Sequence, residues 1–305
     1  MAGSSNAVTA IVLTHNEAVH IERCVASLLS AGMRVCIVDS FSQDDTVAKA
    51  SSLGAEVKQN AWVNYATQFK WGLENFAIES AWVLRIDADE YLSDALKAEL
   101  PRRLEEAPPE ATGFTVRLDY IFLDGHIRRG GFQSLKLLRI WRHGCGDIEQ
   151  RWMDEHITLR HGRVEHLSGR LVHHDLRPIT FWLAKHNSYA TREMVDYMLA
   201  RQDRSTDKRI AESGRRNPAG LRRRAKEDVY NRLPLFLRPC LIFLYRYIVQ
   251  LGILDGRAGF VYLVLQCLMY RMIVDCKIYE ARRHVRDNGF GSFPDYVAEA
   301  HGLKL

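Results

Sequence analysis

The residues Asp87-Ala88-Asp89-Glu90 close an apolar run, Ala81-Trp82-Val83-Leu84-Arg85-Ile86. A run rich in Trp, Val, Leu and Ile that stops abruptly at carboxylates reads as a buried strand ending at a crevice, where open α/β sheets bind their ligands. Two carboxylates one residue apart cannot both enter an apolar core unpaired, because a buried ion without a partner neutralises instead. A divalent cation is their natural partner. Mg2+ takes one or two protein carboxylates and fills its shell with water and substrate phosphate oxygens. The pair therefore points to metal-assisted chemistry on a phosphorylated substrate; the competing assignment is a helix cap or a solvated turn, which such pairs also form.

The elements that must position the pair follow from the spacing of apolar residues. Val8 to Leu13 reads as a strand and Glu17 to Leu29 as a helix. Strand Arg34 to Val38, a loop through Asp39-Ser40-Phe41-Ser42, a helix from Asp44 to Leu53 and strand Glu56-Val57 make a second unit. A third helix, Asn64 to Ile78, leads into the strand that ends at Asp87. Such alternation predicts βαβ crossovers and a mostly parallel sheet. The loops Thr14 to Glu17, Asp39-Ser40 and Asp87 to Asp89 then gather on one edge of it. After a helix from Ser93 to Glu105, Pro108-Pro109 marks a change of texture. Thr115 to Phe122 and Ser134 to Trp141 read as antiparallel strands around Asp124-Gly125-His126, and short polar-apolar pieces continue to Val172, so the sheet is expected to be mixed. Pro178 opens a long helix, Ile179 to Ala200, at a position where its missing N–H has no intrahelical partner.

Among the 305 residues, 47% are apolar and 26% charged, as in ordinary globular proteins. Six cysteines without a Cys-x-x-Cys pair, and an N-terminus without the features of a signal peptide, give the expectation of a cytoplasmic protein. The net charge of +5 is unevenly spread: residues 201–305 hold 20 basic and 11 acidic groups, residues 1–200 hold 22 and 26. Two apolar stretches, Leu233 to Leu254 and Ala258 to Val274, lie in the basic part. Arg238 and Arg246 interrupt the first, and the second falls short of the roughly 20 residues of a spanning helix. They fit a helical pair in a membrane interface, with Tyr245, Tyr247, Tyr262 and Tyr270 at headgroup depth and arginines snorkelling. The alternative is a soluble helical subdomain. Nucleic-acid binding is not expected, because a helical apolar pattern is not a sheet of stacking aromatics.

Four pieces, in this order, resemble family 2 glycosyltransferases, the inverting nucleotide-sugar enzymes of the GT-A fold: Ile11 to Glu17, Ile37 to Ser40 with Asp44-Asp45-Thr46, the Gln68 to Asn75 helix, and Asp87 to Glu90. The resemblance covers roughly residues 1–200 and is similar to the bacterial branch that builds lipopolysaccharide core and other surface polysaccharides. It implies an α/β GT-A domain, a Rossmann-like nucleotide-binding mixed sheet, over 1–200, with a basic, amphipathic helical extension over 201–305. It also implies that Thr14, Asn16, Glu17, Asp39 and Gln68 belong to the nucleotide site, where a carboxylate can accept the N3–H of uracil. By the same resemblance Asp87 would face the ribose, and Asp89, with Asp87, would bind Mg2+ or Mn2+ bridging the two phosphates of a UDP-sugar. Turn chemistry with Ser40 and Ser42 is the other explanation of Asp39. One departure stands out: the family's Asp-Asp-Gly-Ser run appears here as Asp39-Ser40-Phe41-Ser42.

An inverting transfer needs a base that takes the acceptor hydroxyl's proton. The resemblance puts it in Met153-Asp154-Glu155-His156, with Glu155 favoured, Asp154 in reserve, and pairing with Arg151 or Arg160 as the structural alternative. His173 or His174 matches the late histidine that many GT-A enzymes give to the metal; imidazole and carboxylate can share Mn2+. A nucleotidyltransferase would need a Gly-rich phosphate loop after the first strand, which Thr14-His15-Asn16-Glu17 is not. A degenerate, non-catalytic GT-A fold is the remaining rival. The expected setting is the cytoplasmic face of the inner membrane, reached through 201–305 and its affinity for anionic lipid, with a lipid-linked saccharide as acceptor.

Overall fold

Strand β1 (Val8–Thr14) has no polar face: all seven residues are buried, as a strand covered on both sides must be. A computed structural model describes residues 7–132, 136–149, 156–206, 230 and 233–303, in two compact units, Met1–Arg177 and Pro178–Leu305. In the first unit β1 pairs in parallel with β2 (Arg34–Asp39), which pairs with β3 (Glu56–Gln59), and on its other side with β4 (Trp82–Asp87). Side chains along β1 alternate between two cores. Val8, Ala10 and Val12 pack with Ile21, Val25 and Leu28 of α1 (Ile21–Leu29), and Ile11 and Leu13 with Ala66 and Phe69 of the helix Tyr65–Asn75.

The sheet continues as a mixed one, as the change of texture after Pro108 predicted: its further pairings are antiparallel except for the parallel pair of its two longest strands. With β5 (Glu90–Leu92), β6 (Ala111–Phe122), β7 (Gly125–Ile127), β8 (Lys136–Arg142), β9 (Gly146–Ile148), β10 (Ile157–Leu159) and β11 (Arg163–His174), its order is β3-β2-β1-β4-β8-β6-β11-β5. β7 folds back on β6 through Leu123 and Asp124, both at positive φ, and β9 and β10 form a separate pair. The position of β5 matters most. It follows β4 after only Ala88 and Asp89, yet lies at the far end of the strand order. Three Cα steps span at most about 11 Å, so the sheet must curl until β5 returns beside the end of β4. The Asp-x-Asp segment is the link that closes this curl.

Helices α2 (Thr46–Ser52), α3 (Tyr65–Asn75) and α4 (Asp94–Glu105) complete the unit. Asn64 and Ser93 cap α3 and α4 by accepting the amides of Thr67 and Leu96. α1 begins at Ile21 and not at Glu17. The reason is local: Asn16 is left-handed at φ 56°, and the amides of Asn16, Glu17 and Ala18 donate to Ser42, Thr46 and Asp44 of the facing loop.

The second unit is helical: α5 (Ile179–Thr206), α6 (Leu237–Leu244), α7 (Gly256–Leu263), α8 (Tyr270–Asn288) and α9 (Phe293–His301) among the described residues. The expected boundary at residue 200 lies within α5. Ala190, Met194, Val195 and Met198 of α5 form a core with Tyr270, Val274 and Ile278 of α8 and Phe293 and Val297 of α9. Inside the unit Arg238 (2% exposed) donates from Nε to Asp275 (0%) at 2.8 Å, and the Phe236 amide donates to the same carboxylate at 2.8 Å. Breaking a buried pair leaves a charge without a partner. Asp275→Ala is therefore expected to cost about 3–5 kcal/mol in urea unfolding. Arg238→Met combined with Asp275→Leu should recover most of it; a single variant as stable as wild type would contradict this.

Candidate active site

The C-terminal ends of β1, β2 and β4 carry Thr14, Asp39 and Asp87, adjacent in register: Thr14 lies opposite Asp39, and Leu13 opposite Asp87. Asp39 is fully buried. Its Oδ1 accepts the hydroxyls of Thr14 (2.9 Å) and Ser42 (2.5 Å); its Oδ2 accepts the Ser42 amide (2.9 Å) and the Gln59 side-chain amide (3.0 Å). A carboxylate has about four lone-pair sites, and the protein fills them all. The turn chemistry with Ser42 is thus present. Of the four donors only Gln59 belongs to an exposed residue, so it is the one an incoming N–H can replace. Phe41, which stands where the family pattern has glycine, keeps a left-handed φ of 56° and is half exposed.

Gln68 is also fully buried. Its Nε2 donates to Ser40 Oγ and to the Asn60 carbonyl, both at 2.9 Å, and its Oε1 accepts from Asn60 Nδ2 at 2.8 Å. It ties the loops after β2 and β3 together. Asn16, exposed, accepts the Gln43 amide at 2.8 Å. Glu17 is engaged by Arg177 Nη1 at 2.9 Å and His20 Nδ1 at 2.6 Å.

Three acids crowd the closing link. Asp87 Oδ1 accepts the Tyr65 hydroxyl at 2.5 Å, and Oδ2 lies 3.6 Å from Arg139 Nη2. Glu90, buried, accepts the same Nη2 at 2.8 Å and the Asp87 amide at 3.1 Å. Burial works to protonate Asp87, but the guanidiniums of Arg139 and Arg85 outweigh it and hold the carboxyl below its usual range. For Glu90 burial prevails: with the charges of Asp87 and Asp89 adding to it and Arg139 opposing, its carboxyl is pushed up to about 7. Asp89 is buried, with Oδ1 3.5 Å from His173 Nδ1 and Oδ2 3.9 Å from Arg177 Nη2. The His173 ring stands edge-on to Tyr120, 5.4 Å between centroids. His174 points elsewhere, to Arg23 at 3.1 Å.

Among the described residues no group of three or more His, Cys, Asp and Glu is spaced to hold a metal by itself. Asp89 and His173 form a two-ligand set, with Asp87 close by but engaged by Tyr65 and Arg139. That chemistry fits Mg2+ or Mn2+ completed by water and a diphosphate. Thr14, Asp39, Asp87, Asp89 and His173 all lie at strand ends of the curled sheet or in the link between them, and Gln68 braces that edge from α3. Asp154 and Glu155 lie outside the described residues.

Sequence reasoning missed Arg139, Tyr65 and Arg177. Arg139 lies at a bulge in β8: Phe114 pairs with Ile140 and Thr115 with Leu138, so Arg139 has no opposite residue. Bulges re-aim side chains beside active sites. Its signal was a cation inside the apolar strand Lys136 to Arg142 that the structure buries. Nε and Nη1 of Arg139 have no hydrogen-bond partner among the described residues. Arg177, immediately before Pro178, joins Glu17 and Asp175 and faces Asp89.

If Asp39 reads a nucleobase by exchange with Gln59, Gln59→Ala should leave nucleotide affinity within about threefold in calorimetry. Asp39→Asn should lose about tenfold or more, the usual effect of a charge-assisted bond. Equal losses in both variants would make Gln59 the reader.

Comparison with known proteins identifies the family. The family model described as glycosyl transferase family 2 matches residues 9–166, just over half of the chain. An uncharacterized glycosyltransferase of Rickettsia bellii is 41% identical over 96 residues, 30% of this chain and 31% of that protein, so the match spans about a third of that relative's length. The lipopolysaccharide core biosynthesis glycosyltransferase LpsC of Rhizobium meliloti is 30% identical over 194 residues, 60% of this chain and 69% of that protein. Among solved structures, the mannosyltransferase PcManGT of Pyrobaculum calidifontis, in complex with GDP-Man and Mn2+, has a TM-score of 0.48 at 15% identity, covering 92% of this chain and 88% of that one. With the family's sequence running from Thr9 in β1 to His166 in β11, the chain belongs to glycosyl transferase family 2.

Proposed function

We propose that this chain transfers a sugar from a nucleotide-sugar, a UDP-sugar, to a lipid-linked saccharide or lipopolysaccharide-type acceptor, with inversion and with Mg2+ or Mn2+ at Asp89. The observation that carries this is the convergence of Thr14, Asp39, Asp87 and Asp89 at the ends of three neighbouring parallel strands, with His173 beside Asp89. Family membership supports the reaction class, and the name of LpsC supports the acceptor class.

In this reading Asp39 takes the nucleobase N3–H as Gln59 turns away, while Thr14, Asn16, Glu17 and Gln68 hold the loops that frame it. Asp87, kept ionised by Arg139, faces the ribose and lies beside the ion site. Asp89 and His173 would hold the ion, whose charge offsets that of the departing diphosphate. Glu155, with Asp154 in reserve, takes the acceptor's proton, a role given by family resemblance. The transferase domain is assigned to 1–200, and the basic helical region 201–305 keeps the enzyme at the cytoplasmic face of the inner membrane.

A thermal-shift screen of UDP-, GDP-, CDP- and ADP-sugars with and without Mn2+ tests this directly. A ligand at 100 times its dissociation constant adds about 2.7 kcal/mol to the folded state. Wild type is expected to respond to the UDP class only with metal, and Asp89→Ala to lose the response. No response to any nucleotide would favour a degenerate fold. Glu155→Gln should lose at least about 100-fold in turnover, the usual scale of general-base catalysis, while keeping the donor-induced shift. Activity within a few-fold of wild type would move the base elsewhere.

A further inference from the structure

A helical hairpin of the second unit wears its apolar residues on the outside. α6 continues through a π turn, Tyr245–Val249, reverses at Gln250 and Leu251, and enters α7 through a 3-10 turn, Gly252–Asp255. Leu241, Tyr245 and Ile248 (58% exposed) follow one another at helical spacing, and Leu251, Ile253 and Leu254 (59%) at the reversal are exposed as well. Single exposed leucines are ordinary; a continuous stripe ending in an apolar tip is not. Reversals that face water are made mainly of Gly, Asn, Asp or Ser; this one has Gly252 and Asp255 but sets Leu251, Ile253 and Leu254 between and beside them. Here Leu251 holds a left-handed φ of 58° with its side chain turned outward.

The reversal satisfies backbone amides internally, so it can enter a medium without water at less cost than an open loop. The amides of Gln250, Leu251 and Leu254 donate to the carbonyls of Tyr245 (3.0 Å), Ile248 (3.2 Å) and Leu251 (3.0 Å). Internal satisfaction of this kind is what hydrocarbon demands. The arms also approach closely. A Cβ on Gly252 would stand 2.4 Å from Leu263 Cδ1 and 2.9 Å from the Arg246 carbonyl, and small residues of this kind let helices approach in lipid.

Length decides how far the hairpin reaches. The thirteen residues of α6 and its π turn rise about 20 Å, against a hydrocarbon core of about 30 Å. The helical run Gly252–Asn288 is long and apolar enough to cross a membrane, yet its later part packs through Tyr270, Val274 and Ile278 into the unit's own core. Arg246 and Arg257 lie on the arms, and residues 201–305 carry the chain's positive excess, which suits anionic headgroups better than a second copy of the same surface.

We propose that the hairpin of α6 and α7 is a wedge that enters one leaflet of an anionic membrane, with Leu251, Ile253 and Leu254 deepest. The proposal rests on the membrane-face reading above and names the element and the depth. Its test uses the full chain with phosphatidylcholine vesicles, with and without phosphatidylglycerol, and two variants. Wild type should sediment with the anionic vesicles, and Leu251→Asp combined with Leu254→Asp should bind at least tenfold more weakly at an unchanged melting temperature. In Ile253→Trp the added indole should shift its emission to the blue and be quenched by lipids brominated in mid-chain. Vesicle binding that survives the Asp substitutions, with an unquenched indole, overturns the wedge and leaves the membrane-face reading standing. Absence of wild-type binding overturns both, and a concentration-dependent dimer in its place assigns the apolar face to a second copy.

Discussion

Arg139 puts its guanidinium 2.8 Å from Glu90 and 3.6 Å from Asp87, and the link between β4 and β5 depends on that cation. Asp87, Asp89 and Glu90 fall within four residues at the point where the sheet curls back, and two of them are buried. Like charges so close, out of water, drive one another to take up protons. A buried arginine between two of them changes the balance, because Asp87 keeps its charge while Glu90 absorbs the strain of burial. Asp89 is left aimed at His173 and Arg177. The β8 bulge is what makes room, since an arginine in regular register there would face a partner strand residue.

The same economy of charge runs through the rest of the first unit. Asp39 is saturated by four donors, Gln68 by three hydrogen bonds, and Glu17 by Arg177 and His20. These groups are set before any ligand arrives, which limits the reorganisation that binding requires. The second unit follows the opposite rule on one side, where apolar side chains of the hairpin face outward, while Arg238 and Asp275 are held inside it.

Much of this was legible in the sequence. Mostly apolar runs ending at polar residues marked β1, β2 and β4, and the ends of β2 and β4 carry the acids read from them, because hydrophobic periodicity and βαβ alternation are local signals. The antiparallel part and the helical extension were legible for the same reason. Arg139 was not, since a cation in a short strand looks like a solvent-facing residue until pairing with β6, distant in sequence, forms the bulge that turns it inward. Nor was the network of Glu17, His20, Asp175 and Arg177, whose two halves lie more than 150 positions apart and meet only when the chain after β11 returns beside the start of α1. The late start of α1 belongs to the same class, because side chains of the β2–α2 loop capture the amides that a longer helix would use.

The most direct measurement is the coupling between metal and nucleotide at the Asp89 edge. Calorimetric titration of Mn2+ in the absence and presence of UDP, and of UDP in the absence and presence of Mn2+, gives two factors that linkage requires to be equal. A shared site, with the ion on Asp89 and the diphosphate completing its shell, predicts that each ligand tightens the other by about tenfold or more, a coupling of about 1.4 kcal/mol. Independent binding, with both factors near one, would contradict the assignment of Asp89 and His173 to an ion that holds the donor's diphosphate.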